Sequence, residues 1–147
     1  MLLPHVRLVS LARHGVFAEQ GRVANEVAFA LAGMSRQFYT KDGEERTSHF
    51  FFENQLVGAY FSSLTGRPSL VTIEALSEAH CLILPYAVLG ELFAQRMAWQ
   101  PLGRRLAEYL AVGLEERVVS LLLLSPPTTG TGSWLSAILS PRCYKMA

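Results

Sequence analysis

The stretch Gly58–Leu76, GAYFSSLTGRPSLVTIEAL, decides how the rest of the chain is interpreted. Ala59–Leu64 has the composition of a short helical run, Thr65–Pro68 is typical of a tight turn, and Ser69–Leu76 alternates as a strand does. Gly58 precedes the helical run, so the backbone there can approach a ligand closely. Because the first N–H groups of a helix have no partner within it, the segment predicts a place where an anion can bind.

The composition indicates one domain without a strong electrostatic bias. The 147 residues are 50% hydrophobic, enough for a core, and thirteen basic against twelve acidic residues give a net charge of +1. This balance predicts no basic face for nucleic acid. The longest apolar run, Val118–Leu124, is far shorter than the roughly 20 residues that span a bilayer, and the N-terminus is not a convincing signal peptide. Cys81 and Cys143 lack metal-site spacing. We expect a cytoplasmic protein without a membrane partner.

The first half of the chain predicts a succession of short strands. The strongest local signal is Lys41–Glu44, because Asp-Gly between two strand-like runs supplies the residues tolerant of positive φ that hairpin turns need. In Met34–Thr40, alternation predicts that Met34, Arg36 and Phe38 face opposite to Ser35, Gln37 and Tyr39. Strands at this spacing indicate a β-sandwich or barrel. The predicted strands are Val6–Leu11, a run from Gly15 to Gly21, Glu26–Leu31, Met34–Thr40, Arg46–Phe52, Leu56–Val57, Ser69–Leu76 and Cys81–Leu84.

The second half predicts two helices. Pro85 suits a first helical turn and predicts a short helix over Tyr86–Gln95. An apolar stripe predicts a longer helix over about Ala98–Leu124, and at about 27 residues it spans about 40 Å, more than a small barrel buries. We therefore expect it to pack against a second copy of the chain, with packing on its own domain as the alternative. The stripe consists of Trp99, Leu102, Leu106, Leu110, Gly113, Leu114, Leu121 and Leu124.

The last residues differ from the rest. Pro126–Ser133 is rich in proline, glycine and threonine, and Trp134–Leu139 is one brief apolar turn. We expect a strand-rich domain with the short helix over residues 1–97, the long helix over 98–125, and a disordered tail over 126–147.

The sequence contains no recognisable catalytic constellation. The four histidines His5, His14, His49 and His80 are scattered, and no P-loop, GxGxxG or nucleophile-elbow pattern occurs. We therefore expect no catalytic residue, no metal site and no enzyme. The enzyme class left open is a cupin-like barrel, which needs two or three histidines and a carboxylate converging inside it.

Four runs together resemble the sensor half of Crp/Fnr-type transcription regulators, over about Phe17–Ser125. They are GRVANEVAFALAGMSRQFYTKDGEE, FFFENQLVGAYFSSLTGRPSLVTIEAL, CLILPYAVLGEL and LEERVVSLL. The resemblance implies a cyclic-nucleotide-binding-type β-roll (a double-stranded β-helix or jelly roll), a short helix after the last strand, and a long helix that dimerises two protomers. Residues 1–97 would then sense an effector.

The opening stretch is similar to the phosphate-binding cassette of that family. Members that bind cyclic nucleotide have a Gly-Glu pair whose Glu accepts from the ribose hydroxyl, and an Arg that neutralises the phosphate. Here Ala59 stands where the Glu is expected and Ser69 where the Arg is expected. Two charge-assisted hydrogen bonds at about 1.5–3 kcal/mol each amount to about two to four decades of affinity. Cyclic AMP is therefore disfavoured, and another small effector or none is expected.

The resemblance also implies site residues and partners. We expect Gly58, Ala59, Tyr60, Arg67, Ser69 and Thr72 at the cassette, closed over by Arg105 or Tyr109, and a homodimer through Leu102, Leu106, Leu110, Leu114 and Leu121. In the alternative, Tyr60 and Ser69 only pack or cap.

The expected function is effector sensing, and the alternative is a ligand-free protein-interaction module. Family regulators carry a winged helix-turn-helix after the long helix, and no such pattern follows it here. DNA contact is therefore expected only through a module missing from this chain. Whether the chain is a truncated or frame-altered regulator, or a module acting alone, stays open.

Overall fold

A computed structural model describes residues 5–123 of the chain, without the side chains of Ser120, Leu121 and Leu123. The expected tail over 126–147 and Leu124 therefore lie outside the described residues, and so does the predicted role of the Leu121 side chain. The elements are β1 (Arg7–Leu11), β2 (Val16–Ala18), β3 (Glu26–Ala32), β4 (Ser35–Lys41), β5 (Glu44–Phe51), β6 (Leu56–Val57), α1 (Tyr60–Thr65), β7 (Thr72–Ala75), β8 (Ala79–Pro85), α2 (Tyr86–Gln95), a 3₁₀ turn (Met97–Trp99) and α3 (Gln100–Leu123).

The strands form two four-stranded antiparallel sheets. The first has the order β1-β8-β3-β6 and the second the order β2-β7-β4-β5, so sequence neighbours are rarely sheet neighbours. The core between them is built largely of small and β-branched side chains, with Ala28 and Ile73 fully buried. The β-branched residues among them fit a pleated, half-buried surface closely. The β-roll fold class predicted from the sequence is confirmed.

The β4–β5 hairpin forms where the Asp-Gly pair predicted it. Lys41 pairs with Glu44, and the two turn residues both have positive φ, 54° at Asp42 and 81° at Gly43. These are the angles for which Asp and Gly are favoured in two-residue hairpin loops.

The alternation predicted for β4 is confirmed for Arg36 and Phe38, which share one face, with the Arg36 guanidinium 4.2 Å from the centroid of the Phe38 ring. Ser35 and Gln37 pair with Ala75 and Ile73, two fully buried residues of β7, whereas Phe38 pairs with Thr72 on the other face. The irregularity of the hairpin lies in β5, where Ser48 is the extra residue between His49, opposite Gln37, and Thr47, opposite Phe38. The strand expected from Ser69 begins only at Thr72, because Ser69 bonds locally to its own neighbours.

Helix α2 covers part of the outer face of the first sheet. Leu89 of α2 packs there on Val27 of β3 and Leu84 of β8. The helix begins directly after Pro85 and ends at Gln95, with the bounds that the sequence predicted.

The chain divides into a compact unit up to Pro101 and a second unit from Leu102 onward, to which nearly all of α3 belongs. Several large apolar side chains of α3 are exposed, among them Leu102, Val112, Leu114, Val118 and Val119. Within residues 5–123, no helix is long and apolar enough to cross a membrane.

Candidate functional site

The segment β6–α1–β7 contains all the residues that the sequence placed at the cassette. Gly58 follows β6, and a Cβ atom there would lie 3.2 Å from Cγ1 of Val27, so glycine allows the backbone to pass closely over β3. Ala59 is the N-cap of α1 and is only 3% exposed. Its methyl group belongs to the apolar core, together with Val57 and Val71.

Two serines that the sequence analysis did not select hold α1 in place. Ser62 is 1% exposed, and its Oγ accepts the N–H of Ala24 at 2.9 Å and donates to the carbonyl of Arg67 at 2.6 Å. Oγ of Ser63 donates to the carbonyl of Ala24 at 3.0 Å. The sequence signal that could have identified them is the run YFSSLT, in which apolar residues flank the two serines. The usual pattern is reversed there, because the buried Ser62 lies on the inner face and the apolar residues are exposed.

Tyr60 and Arg67 lie on the outer side of α1. Tyr60 is 37% exposed, and its ring meets that of Tyr86 edge to face at 6.2 Å. Burial and the neighbouring Tyr60 raise the pKa of the Tyr86 phenol. Arg67 is exposed, and its guanidinium lies 5.3 Å from the ring centroid of Phe61. In this pose Arg67, which follows the C-cap of α1, contacts an aromatic side chain of that helix.

Ser69, at the position where an arginine was expected, is 3% exposed. Its hydroxyl donates to the carbonyl of Val71 at 2.7 Å and accepts the N–H of the same residue at 3.2 Å. Its backbone N–H donates to the carbonyl of Arg22, and its carbonyl accepts from the N–H of Gly21, both at 2.8 Å. The residue therefore joins the cassette to the loop before β3.

Thr72 lies on β7, on the strand face opposite Ile73 and Ala75, which belong to the core. Its Oγ1 accepts the N–H of Gln20 at 3.1 Å. The side-chain amide of Gln20 in turn pairs with both backbone groups of Thr40, at 2.9 and 3.0 Å. The loop between β2 and β3 thus binds β7 and the hairpin as well as the cassette.

The structure places the six expected residues along one segment but in different surroundings. Ala59 and Ser69 are buried, Tyr60 and Arg67 are exposed, and Thr72 is partly exposed. Among residues 5–123, the buried polar side chains are the three serines Ser35, Ser62 and Ser69, so hydroxyl groups alone supply polarity to the interior. The ligand-binding roles of these residues, and the expected closure by Arg105 or Tyr109, stay predictions.

The family model described as "Cyclic nucleotide-binding domain" matches residues 8–96. This range contains both sheets apart from the first residue of β1, and it contains all of the cassette segment and of α2. No curated protein sequence matches the chain significantly.

Solved structures with a similar fold include three bacterial regulators. The catabolite activator protein of Thermus thermophilus aligns with a TM-score of 0.68 at 23% identity, over 81% of this chain and 55% of that one. The sensor domain of the transcriptional regulator DNR from Pseudomonas aeruginosa gives 0.65 at 18%, over 85% and 82%. The c-di-GMP-responsive global regulator of Xanthomonas campestris gives 0.65 at 17%, over 84% and 63%. This chain thus spans little more than half of the first protein, and at these identities the likeness establishes the fold.

Proposed function

The chain belongs to the cyclic nucleotide-binding domain family, and from this premise we propose that it is the effector-sensing domain of a dimeric, Crp/Fnr-type transcription regulator. The observation that carries the proposal is the conformation of β6–α1–β7. Gly58 passes closely over β3, a six-residue helix follows, and Gly66 in the left-handed conformation returns the chain towards β7. Contact with DNA is assigned to a module other than the β-roll and α3.

We propose further that this cassette does not recognise a cyclic phosphate as an intact one does. Ala59, at the position of the ribose-binding Glu, has its methyl group among core side chains. Ser69, at the position of the phosphate-binding Arg, uses its hydroxyl on Val71. If an intact cassette binds its nucleotide with a micromolar Kd, loss of both charged contacts raises the Kd to about 0.1–10 mM.

Titration calorimetry with cyclic AMP, cyclic GMP and cyclic di-GMP tests this part. We expect no saturable heat at nucleotide concentrations of about 10 µM. That concentration is at least an order of magnitude below the expected Kd of about 0.1–10 mM. A thermal-shift screen of other small anions then identifies the effector, because a ligand at 100 times its Kd stabilises the folded state by about 2.7 kcal/mol. A micromolar Kd for cyclic AMP would show that Ala59 and Ser69 do not disable the cassette.

We propose that α3 forms the dimer, through Leu102, Leu106, Leu110, Leu114 and Leu121. Support comes from the exposed apolar side chains along α3, since the surface helices of monomeric proteins seldom carry so many exposed apolar side chains. An effector would act by shifting the relative populations of two arrangements of the paired helices. Sedimentation equilibrium measures the mass directly, and a monomer at micromolar concentration would contradict the dimer.

The alternative is a protein-interaction module that senses no effector. The internal hydrogen bonds of Ser62 and Ser69 favour it, because they order the cassette without any ligand. A module of this kind would give no thermal shift with any small molecule. It would also unfold at the same temperature in buffer and in a metabolite extract.

A further inference from the structure

We propose that Ser62 is a positioning residue that links the cassette helix α1 to the first turn of α2, through the loop residues Ala24 and Asn25. The inference deepens the proposed function, on which its regulatory meaning rests, because it supplies a route from the cassette to the helix that precedes α3. The link consists of contacts within the unit that ends at Pro101.

The first step is the set of hydrogen bonds between α1 and the loop that precedes β3. Ser62 accepts the N–H of Ala24 and Ser63 donates to the carbonyl of the same residue, so both backbone groups of Ala24 are held by α1. Ser62 is 1% exposed, and water therefore cannot readily replace its hydroxyl if α1 moves. The same hydroxyl donates to the carbonyl of Arg67, just beyond the C-terminal end of α1.

The second step passes from the loop to α2. Asn25 follows Ala24 directly, and its carbonyl accepts the N–H of Tyr86, the first residue of α2, at 2.8 Å. First-turn N–H groups of a helix need a partner outside the helix, and the Pro85 N-cap makes no side-chain hydrogen bond to supply one. The position of Asn25 therefore determines whether this N–H of α2 is satisfied.

The third step is a direct contact between α1 and α2. Tyr60, the first residue of α1, meets the ring of Tyr86 edge to face. The helix α1 thus reaches Tyr86 twice, once by its Tyr60 ring and once by Ser62 through Ala24 and Asn25. A displacement of α1 changes both contacts together, whereas a displacement of an unconnected loop changes neither. An element that couples two sites must have two discrete arrangements, and contacts that change together allow this link to have them.

Amide hydrogen exchange measured by NMR on the ligand-free protein tests the link. Ser62→Ala removes the acceptor of the Ala24 N–H, and we expect the amides of Ala24 and Tyr86 each to exchange about tenfold faster than in the wild type. The amide of Ala30, which donates to the carbonyl of Gln55, is the reference within the first sheet. Its rate is expected to change much less.

Ser77→Ala is the matched control. Oγ of Ser77 likewise accepts a distant backbone N–H, that of Met34, at 3.1 Å, and it donates to the carbonyl of Glu78, so its hydrogen bonds join the β3–β4 turn to the loop before β8. For Ser77→Ala we expect faster exchange at Met34 and an unchanged rate at Tyr86.

Two results would overturn the proposal. In one, Ser62→Ala speeds exchange at Ala24 while Tyr86 keeps its wild-type rate. In the other, Tyr86 and Ala30 accelerate equally, which would indicate general destabilisation. If Ser62→Ala does not fold, Ser63→Ala removes the other bond to Ala24, and an unchanged rate at Tyr86 then counts against the link. No effector is used, so failure to find one leaves this test intact.

Discussion

Alanine substitutions at two glycines, Gly33 and Gly43, should have very different costs, although the backbone conformation is similar at both. Gly33 has φ +90° and Gly43 has φ +81°, a region in which an L-residue costs about 1–2 kcal/mol. At Gly43, in the exposed hairpin turn, an added Cβ meets nothing within 4 Å. At Gly33 it would lie 2.7 Å from Cα and 2.9 Å from Cβ of Ala79, and closer still to the carbonyl oxygen of Glu78.

The difference can be measured as a free energy of unfolding. Gly43→Ala should cost about 1 kcal/mol, the conformational penalty alone. Gly33→Ala adds a clash with the backbone at the start of β8 and should cost about 2–4 kcal/mol, since overpacking typically adds about 1–3 kcal/mol to that penalty. With a urea m-value of about 1–3 kcal/mol/M, the midpoint followed by circular dichroism should fall at least twice as far for Gly33→Ala. Equal shifts would refute the close approach of the β3–β4 turn to β8.

Two further pairs of variants test other parts of the structure. Arg36→Met should destabilise the protein by about 2–3 kcal/mol in urea unfolding, because it leaves Glu74, whose side chain is only 13% exposed, without its partner at 2.7 Å. Arg46→Met should cost less than about 0.5 kcal/mol, because its ion pair with Glu44, at 3.4 Å, is exposed to solvent. Leu114→Asp should convert a dimer to a monomer in sedimentation equilibrium, and Glu108→Gln should not. Similar losses in the first pair, or an unchanged mass for Leu114→Asp, would contradict these assignments.

The fold was largely predictable because its strongest signals are local. The Asp42–Gly43 pair specifies a hairpin through its own backbone preferences, and Pro85 specifies the start of α2. The bulge in β5 was not predictable, since a register shift depends on how one strand pairs with another, here β5 with β4. Nothing in the Thr47–His49 triplet itself indicates that Ser48 is an extra residue.

The candidate site was predictable in position but not in its supporting contacts. Gly58, the helical run and the returning strand mark the cassette in the sequence. The partners of Ser62 and Ser63 lie 38 and 39 residues earlier in the chain, so no local pattern connects them. Likewise the composition of the sequence does not show whether Ser69 is directed to a ligand or bonded to Val71.

The most direct test of the account restores the two side chains that the cassette lacks. In the double variant Ala59→Glu with Ser69→Arg, cyclic AMP affinity measured by titration calorimetry should rise by about two decades or more over the wild type, because two charge-assisted contacts are regained. Ser69→Lys with Ala59→Gln is the control of similar size, and its gain should be smaller because Gln carries no charge and Lys cannot form the bidentate pair of Arg. Circular dichroism establishes that each variant is folded. A folded double variant with no gain in affinity, or a wild type that already binds cyclic AMP at micromolar concentration, would contradict the claim that this is an effector-sensing domain with an altered phosphate-binding cassette.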